Sequence, residues 1–309
     1  MTMRFGAAFW VQRTGWPELR EAVLHAEAAG FDDLWVDDHL LCDEGDWQDG
    51  KLEAWTTLAA IAAVTSRARL GHMVAANTFR NPGLTAKMAA TLDHVSGGRA
   101  ILGLGAGWFE REHDAFGLKF GPWAGARLDW LAETVPLIRR LLDGERVTWE
   151  GREYRFVDAL CEPRPIQPHL PILLGGSGPK KTIPLVARSA DLWNAYGTPE
   201  AVASADAILR AACEAIGRDE REIERTVNIN VTIRDDRAEA VEAWEASVAV
   251  HHPRQGEDRG DVAGTVDDAV EKLRRYADVG FRHTVWIFRT PFDLATMDRL
   301  HEVRRRLEA

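Results

Sequence analysis

The chain has few cysteines, no excess of basic charge and no long apolar run, and each shortage removes a class of protein. Its three cysteines, Cys42, Cys161 and Cys213, are widely spaced and form no CxxC pair. Neither a disulfide framework nor a structural zinc site is indicated. Lysine and arginine number 38 against 48 aspartates and glutamates, a formal charge of −10. A surface of that sign argues against nucleic acid or a membrane as a general partner, so an anionic ligand would have to be held by local groups. No window of about eighteen uncharged apolar residues occurs, and the opening MTMRFGAAFW lacks the basic region and apolar run of a signal peptide, which predicts a soluble, cytoplasmic protein.

What is present is an alternation. Short apolar segments at Arg4–Phe9, Leu34–Val36, Leu70–Ala76, Ala100–Leu104, Ile172–Leu174, Asp191–Asn194, Val227–Ile233 and Thr284–Phe288 are separated by stretches of helical spacing, such as Ala126–Leu142 and Pro291–Leu307. Strands this short and continuous suit a parallel sheet buried on both faces. The prediction is an α/β fold, a single (β/α)8 TIM barrel over residues 1–309, which is an ordinary length for one barrel. A doubly wound sheet is the alternative, because periodicity does not decide closure. After the seventh strand, residues 234–264 read as an insertion. It holds one helix and a charged tract at His251–Asp261, expected to be mobile and to lie over the face that carries the site. Val147–Phe156 reads as a hairpin, Trp108–Trp123 as a loop, and Thr265 to Asp268 has the spacing of a capping box.

In a barrel, ligand and catalytic groups gather at the C-terminal ends of the strands. The candidates are therefore Trp10, Asp38, His39, Met73, Val74, Ala75, Asn77, Gly105, Ala106, Gly107, Trp108, Gly175, Gly176, Ser177, Gly178, Asn194 and Asn230. Gly103-Leu104-Gly105 begins a dinucleotide fingerprint, but Trp108 stands where the third glycine is required. Gly175 to Thr182 imitates a Walker loop, with Lys180 where a glycine is required. Glycine-rich backbone at a helix start still binds anions, and Lys180 or Lys181 would add positive charge. Asp37-Asp38-His39 could suggest a metal, but the first strand offers no His-x-His, and no metal is expected. His39 is the candidate for proton handling, because imidazole titrates nearest neutral pH and a carboxylate beside it can tune it.

The ordered set Leu70-Gly71, Arg80-Asn81-Pro82, Lys87, Ala90-Thr91-Leu92-Asp93, Ser96-Gly97-Gly98-Arg99 and Leu102-Gly103-Leu104-Gly105-Ala106-Gly107-Trp108 resembles the bacterial luciferase-like monooxygenase superfamily. It looks most like the branch using coenzyme F420. The resemblance implies the same barrel, including the insertion, and hydride transfer between F420 and a small organic substrate carrying an alcohol, imine or activated double bond. It places Asp38 and His39 at the deazaflavin's edge and a non-prolyl cis peptide near Met73-Val74. The ring would lie against Met73 to Asn77 and Gly105 to Trp108, and the acidic tail near Gly175 to Lys180. Trp10, Trp108 and Asn194 would line the substrate pocket. A homodimer through the early helices is implied as well. The alternatives are an FMN-dependent monooxygenase of the same superfamily, although the Glu-His-His of many flavin-dependent relatives is absent, and a cofactor-binding barrel without turnover.

Overall fold

Eight strands pair side by side in one parallel cycle, so the barrel is closed. A computed structural model describes residues 2–252 and 260–308. In order, β1 (Arg4–Phe9), α1 (Trp16–Ala29), β2 (Asp33–Val36) and α2 (Ala54–Val64) lead to β3 (Arg69–His72) and its two-residue continuation β4 (Ala75–Ala76). Next come α3 (Pro82–Ser96), β5 (Ala100–Gly105), α4 (Glu110–Phe116), α5 (Ala124–Leu142) and the antiparallel pair β6 (Val147–Glu150) and β7 (Arg155–Ala159). β8 (Ile172–Gly175), α6 (Thr182–Ser189), β9 (Leu192–Tyr196) and α7 (Pro199–Ala215) follow. The last part is β10 (Glu224–Ile233), α8 (Arg237–His251), β11 (Val262–Gly264), α9 (Val266–Asp278), β12 (His283–Phe288), α10 (Leu294–Asp298) and α11 (Leu300–Glu308). The cycle runs β1-β2-β3-β5-β8-β9-β10-β12, and it closes because β12 pairs with β1 from Arg4↔His283 to Phe9↔Phe288. The barrel read from the sequence is therefore present and closed.

Local chemistry sets the element ends. Asn81 accepts the Gly83 N–H at 2.8 Å to start α3 with Pro82 in its first turn, and Gly97 ends it at φ 69°, a conformation that favours glycine. The capping box at Thr265 and Asp268 forms. Inside the barrel, Trp35 is fully buried and fills the space that Gly6 and Gly71 leave. A Cβ at either glycine would come within 2.7 Å of its indole. Losing that side chain is worth about 3–5 kcal/mol. The N-terminal end of the barrel is closed by a polar cluster in which His283 lies 3.0 Å from Asp33 and 2.8 Å from Glu224, with Arg69 also on Asp33.

Three expectations are corrected. The Trp108–Trp123 loop contains α4, anchored by His113, which contacts the Phe109 carbonyl at 2.8 Å and the Thr78 hydroxyl at 2.7 Å. The closing helix is broken in two, because the Arg299 N–H turns back onto the Thr296 carbonyl. The 234–264 stretch holds not only α8 but also β11, which adds parallel to β10 through Val231↔Val262. Its described parts pack at the C-terminal end of the barrel: Arg13 donates to the Val250 carbonyl, and Asn230 donates to Asp261 at 2.7 Å. The charged tract at His251–Asp261 falls mostly on residues 253–259, outside the described residues.

Candidate active site

A cavity of about 680 Å³ opens at the C-terminal ends of β1, β2, β4, β5, β8 and β9. Its floor is built by a mutual fit. β3 breaks off at Met73-Val74, the one non-prolyl cis peptide among the described residues, and the Val74 side chain turns toward two neighbouring strands. A Cβ at Gly105 would approach it to 2.5 Å and one at Gly175 to 3.0 Å. Gly107, at φ 77°, is held against Thr78 in the same way. These glycines leave bare backbone along one wall, where a flat ring can lie close.

The opposite wall is acidic and aromatic. His39 contacts Glu112 Oε1 through Nδ1 at 2.9 Å, while the Leu40 N–H donates to Glu112 Oε2 at 2.8 Å. A carboxylate only accepts, so Nδ1 carries the hydrogen and the exchangeable position is Nε2. Nε2 stands 3.7 Å from Asp43 Oδ2, beyond hydrogen-bond length. Burial alone disfavours the imidazolium, but Asp43 and Glu112 outweigh it and hold the His39 pKa above its ordinary value. Trp108 meets the imidazole edge-on at 5.3 Å.

Asp37, His39 and Asp43 lie within 4.8 Å of one another, a spacing that could hold a metal. The Lys51 ammonium already bridges the two carboxylates, lying 3.2 Å from Asp43 and in contact with Asp37. Burial works against the Lys51 charge, but these two anions hold its pKa well above the ordinary range, and Asp43 is held down to about 2 against its own burial. A protein cation thus stands between the two carboxylates and offsets one of their charges. Asp38 is engaged too, accepting from Arg80 at 2.7 and 3.1 Å and from the Ala76 N–H at 3.0 Å, which ties the end of β2 to β4.

The wall formed by β8 and α5 has the opposite character. Gly176, at φ 112°, Ser177 and Gly178 line it before α6 begins at Thr182. The Ser177 hydroxyl is buried without a hydrogen-bond partner among the described residues. Arg127 enters from α5, stacked 3.8 Å from the Phe120 ring centroid, with its Nε donating to the Gly107 carbonyl at 3.0 Å.

Of the sequence candidates, the cavity brings together Trp10, Asp38, His39, Met73, Val74, Gly105, Ala106, Gly107, Trp108, Gly175, Gly176, Ser177 and Gly178. Five do not line it. Ala75 and Asn77 point outward, Ala75 into the core under the helices and Asn77 toward the Tyr154 hydroxyl at 3.4 Å, so Ala76 is the lining residue of that turn. Strand alternation across the break put the wrong pair inside. Asn194 lies wholly buried inside the barrel, donating to Thr226 at 2.9 Å and Asn228 at 2.8 Å. Lys180 is exposed and off the cavity, while Lys181 is held by Asp129 at 2.6 Å and the Gly125 carbonyl at 3.0 Å. Asn230 is likewise outside the lining, accepting from Arg289 at 2.7 Å. The residues that sequence reasoning missed are Asp43, Lys51 and Arg127. Glu112 lies in the Trp108–Trp123 stretch, where the sequence marks no more than a loop.

A closed parallel barrel with its cavity at the C-terminal strand ends defines the class. The family model described as luciferase-like monooxygenase matches residues 3–281, and the chain belongs to that family. An F420-dependent glucose-6-phosphate dehydrogenase from Kineococcus radiotolerans is 33% identical over 305 residues, spanning 87% of this chain and 86% of its own length. One of the same description from Nakamurella multipartita is also 33% identical, spanning 92% and 90%. Among solved structures, an F420-dependent secondary alcohol dehydrogenase in complex with an F420-acetone adduct superposes with a TM-score of 0.84 at 21% identity over 99% of both chains. A monooxygenase from Streptomyces bottropensis does so at 0.81 with 24% identity, again over 99% of both. At these identities the two structures show the shared fold. No described helix is long and apolar enough to cross a membrane.

Proposed function

We propose that the chain is an oxidoreductase that moves hydride between coenzyme F420 and a small substrate carrying an alcohol, imine or activated double bond. The observation that carries the reading is the asymmetry of the cavity. One wall offers bare glycine backbone, an unpartnered Ser177 hydroxyl and the Arg127 guanidinium; the other offers an imidazole whose Nε2 makes no hydrogen bond to a described residue. The first wall fits a planar ring with an anionic tail: Gly105, Gly107 and Gly175 would bear the ring, and Ser177, Gly178 and Arg127 the acidic groups. F420, when bound, supplies a hydride acceptor or donor.

His39 Nε2 takes or gives the proton at the substrate oxygen or nitrogen. Glu112 fixes the tautomer through Nδ1 and stabilises the imidazolium that forms. Asp38, engaged by Arg80 and the Ala76 N–H, holds the end of β2. Trp10 and Trp108 shield the reacting region from water. Relatives of full length named as F420-dependent support the cofactor, and the monooxygenase among the structural neighbours keeps FMN as the second reading. Parallel fluorescence titrations with F420 and FMN test it: tighter F420 binding with hydride transfer is expected, and tighter FMN binding overturns it. Tight F420 binding without turnover over a broad substrate panel would leave a binding protein. The same proposal includes a homodimer through α2 and α3, whose shared groove is lined by Trp55, Met88, Leu92 and the half-exposed Val95.

A further inference from the structure

The chemistry of the two cavity walls also limits what can enter beside the cofactor. The wall formed by the loop after β2, by α4 and by the end of β1 is built on five acidic residues, Asp37, Asp38, Asp43, Glu44 and Glu112, whose carboxyl groups are nearly buried at its edge. Three cations serve these five groups. Arg80 is taken by Asp38, Lys51 is shared by Asp37 and Asp43, and Arg289 clamps Glu44 at 2.5 and 2.9 Å. None of these three cations lines the cavity; among the described lining residues the one lysine or arginine is Arg127, on the opposite wall. The acidic wall also carries one group suited to a neutral oxygen, His39 Nε2, beside the apolar faces of Trp10 and Trp108.

From this we infer that the substrate subsite selects an uncharged alcohol or carbonyl compound, aromatic or apolar beside its oxygen, and rejects anions such as sugar phosphates and carboxylates. The inference rests on the F420 reading only in assigning Arg127 to the cofactor's acidic groups. An anion placed beside His39 meets an excess of carboxylate, and the cations of that wall are already paired: Lys51, Arg80 and Arg289 as above, and the His39 imidazolium with Glu112. One such like charge costs at least tenfold in affinity. A neutral hydroxyl or carbonyl instead meets His39 Nε2 while its apolar part covers the Trp10 and Trp108 rings.

The test uses two ligands that share a phenyl ring and a hydroxyl and differ in charge, 1-phenylethanol and mandelate, with glucose-6-phosphate as a third arm. Binding to the F420-loaded protein is read from quenching of tryptophan fluorescence, and turnover from loss of the absorbance of oxidised F420. The expected result is binding of 1-phenylethanol at least tenfold tighter than either anion, with the same order in kcat/KM. Glu44→Gln removes one carboxylate and leaves Arg289 charged, so it should narrow the gap severalfold. Preference for an anion, saturation by none of the three, or an unchanged gap in Glu44→Gln overturns the inference. F420 and FMN affinities are measured on the same protein beforehand. If FMN binds better, the cofactor reading fails while the charge preference is still read with FMN bound.

Discussion

Replacing Glu112 by glutamine isolates what a buried carboxylate does for the imidazole beside it. The side chain is 1% exposed, and its two oxygens are taken by His39 Nδ1 at 2.9 Å and the Leu40 N–H at 2.8 Å. Glutamine keeps the shape and one acceptor but loses the charge. A bond to a charged group contributes about 1.5–3 kcal/mol and a neutral one about 0.5–1.5, so the imidazolium formed during alcohol oxidation loses about 1–2 kcal/mol of support. That corresponds to a fall in kcat/KM of roughly five- to thirtyfold. The pH profile must move too. His39 acts as a base in its neutral form, and its pKa is raised by Asp43 and Glu112 against its burial. Removing one of these anions lowers the pKa, so the rising limb of the pH–rate curve shifts to lower pH. The assay is steady-state F420 reduction with a neutral alcohol across the pH range, in wild type, Glu112→Gln, His39→Ala and the double variant. His39→Ala alone should cost about a hundredfold to ten-thousandfold, and adding Glu112→Gln to it should cost little more, because Glu112 acts through the imidazole. If Glu112→Gln slows the His39→Ala protein by the same factor as it slows wild type, or leaves the pH limb unmoved, the two residues act separately and the reasoning is refuted.

Other outcomes follow from other parts of the chain. Arg127→Ala should weaken F420 binding roughly ten- to hundredfold, the loss of about 1.5–3 kcal/mol of charge-assisted contact, while Lys180→Ala changes it less than about twofold; a fluorescence titration in which Lys180 matters more would place the tail elsewhere. Asp33→Asn should destabilise the fold by about 3–5 kcal/mol, because it leaves His283 and Arg69 with an unmatched buried charge, as read by thermal melts. Against burial, Asp33 and Glu224 hold the His283 pKa up, so its share of stability is complete below the ordinary histidine value and is lost as pH rises through the folded one. Against their own burial, His283 holds Glu224 down to about 2 and Asp33 lower still, so their share is present above the ordinary carboxylate range and is lost as pH falls through the folded values. The Asp33→Asn deficit should therefore be largest near about pH 5–6 and shrink toward alkaline pH; an equal deficit throughout would remove the ionic account. Light scattering at micromolar concentration should give a dimer, and Val95→Asp, in the α2–α3 groove, should shift it toward monomer.

The fold was legible because it depends on properties that add along the chain. Each strand is a short apolar run, most helices carry an apolar stripe, and punctuation such as Asn81-Pro82 and Gly97 marks the ends, so the order of the eight units is legible without any knowledge of pairing. Closure could not, because it is a relation between β12 and β1 at opposite ends of the sequence. The same distinction runs through the details. The capping box at Thr265 is local and legible in the sequence, whereas α4 is not, because its anchor, the Thr78 hydroxyl on His113, belongs to another unit.

The site divides along the same line, and the division explains which residues were missed. Glycines, Val74 and His39 sit at strand ends, so a rule about strand ends finds them. Lys51, Asp43 and Arg127 lie on a loop or in helix α5, where a charged residue ordinarily means a solvated face. In Arg127 the sign of that inference is reversed: the side chain is 7% exposed, its charge faces the cavity, and the loss of water is offset by the Phe120 ring and the Gly107 carbonyl. Lys180 shows the complementary error, since its place after a glycine loop suggested a phosphate ligand and the turn into α6 leaves it outside. A cation's function here is set by which wall it faces, and that depends on the pairing of β5 with β8 and the path of α5 above them, neither of which leaves a mark at the residue itself.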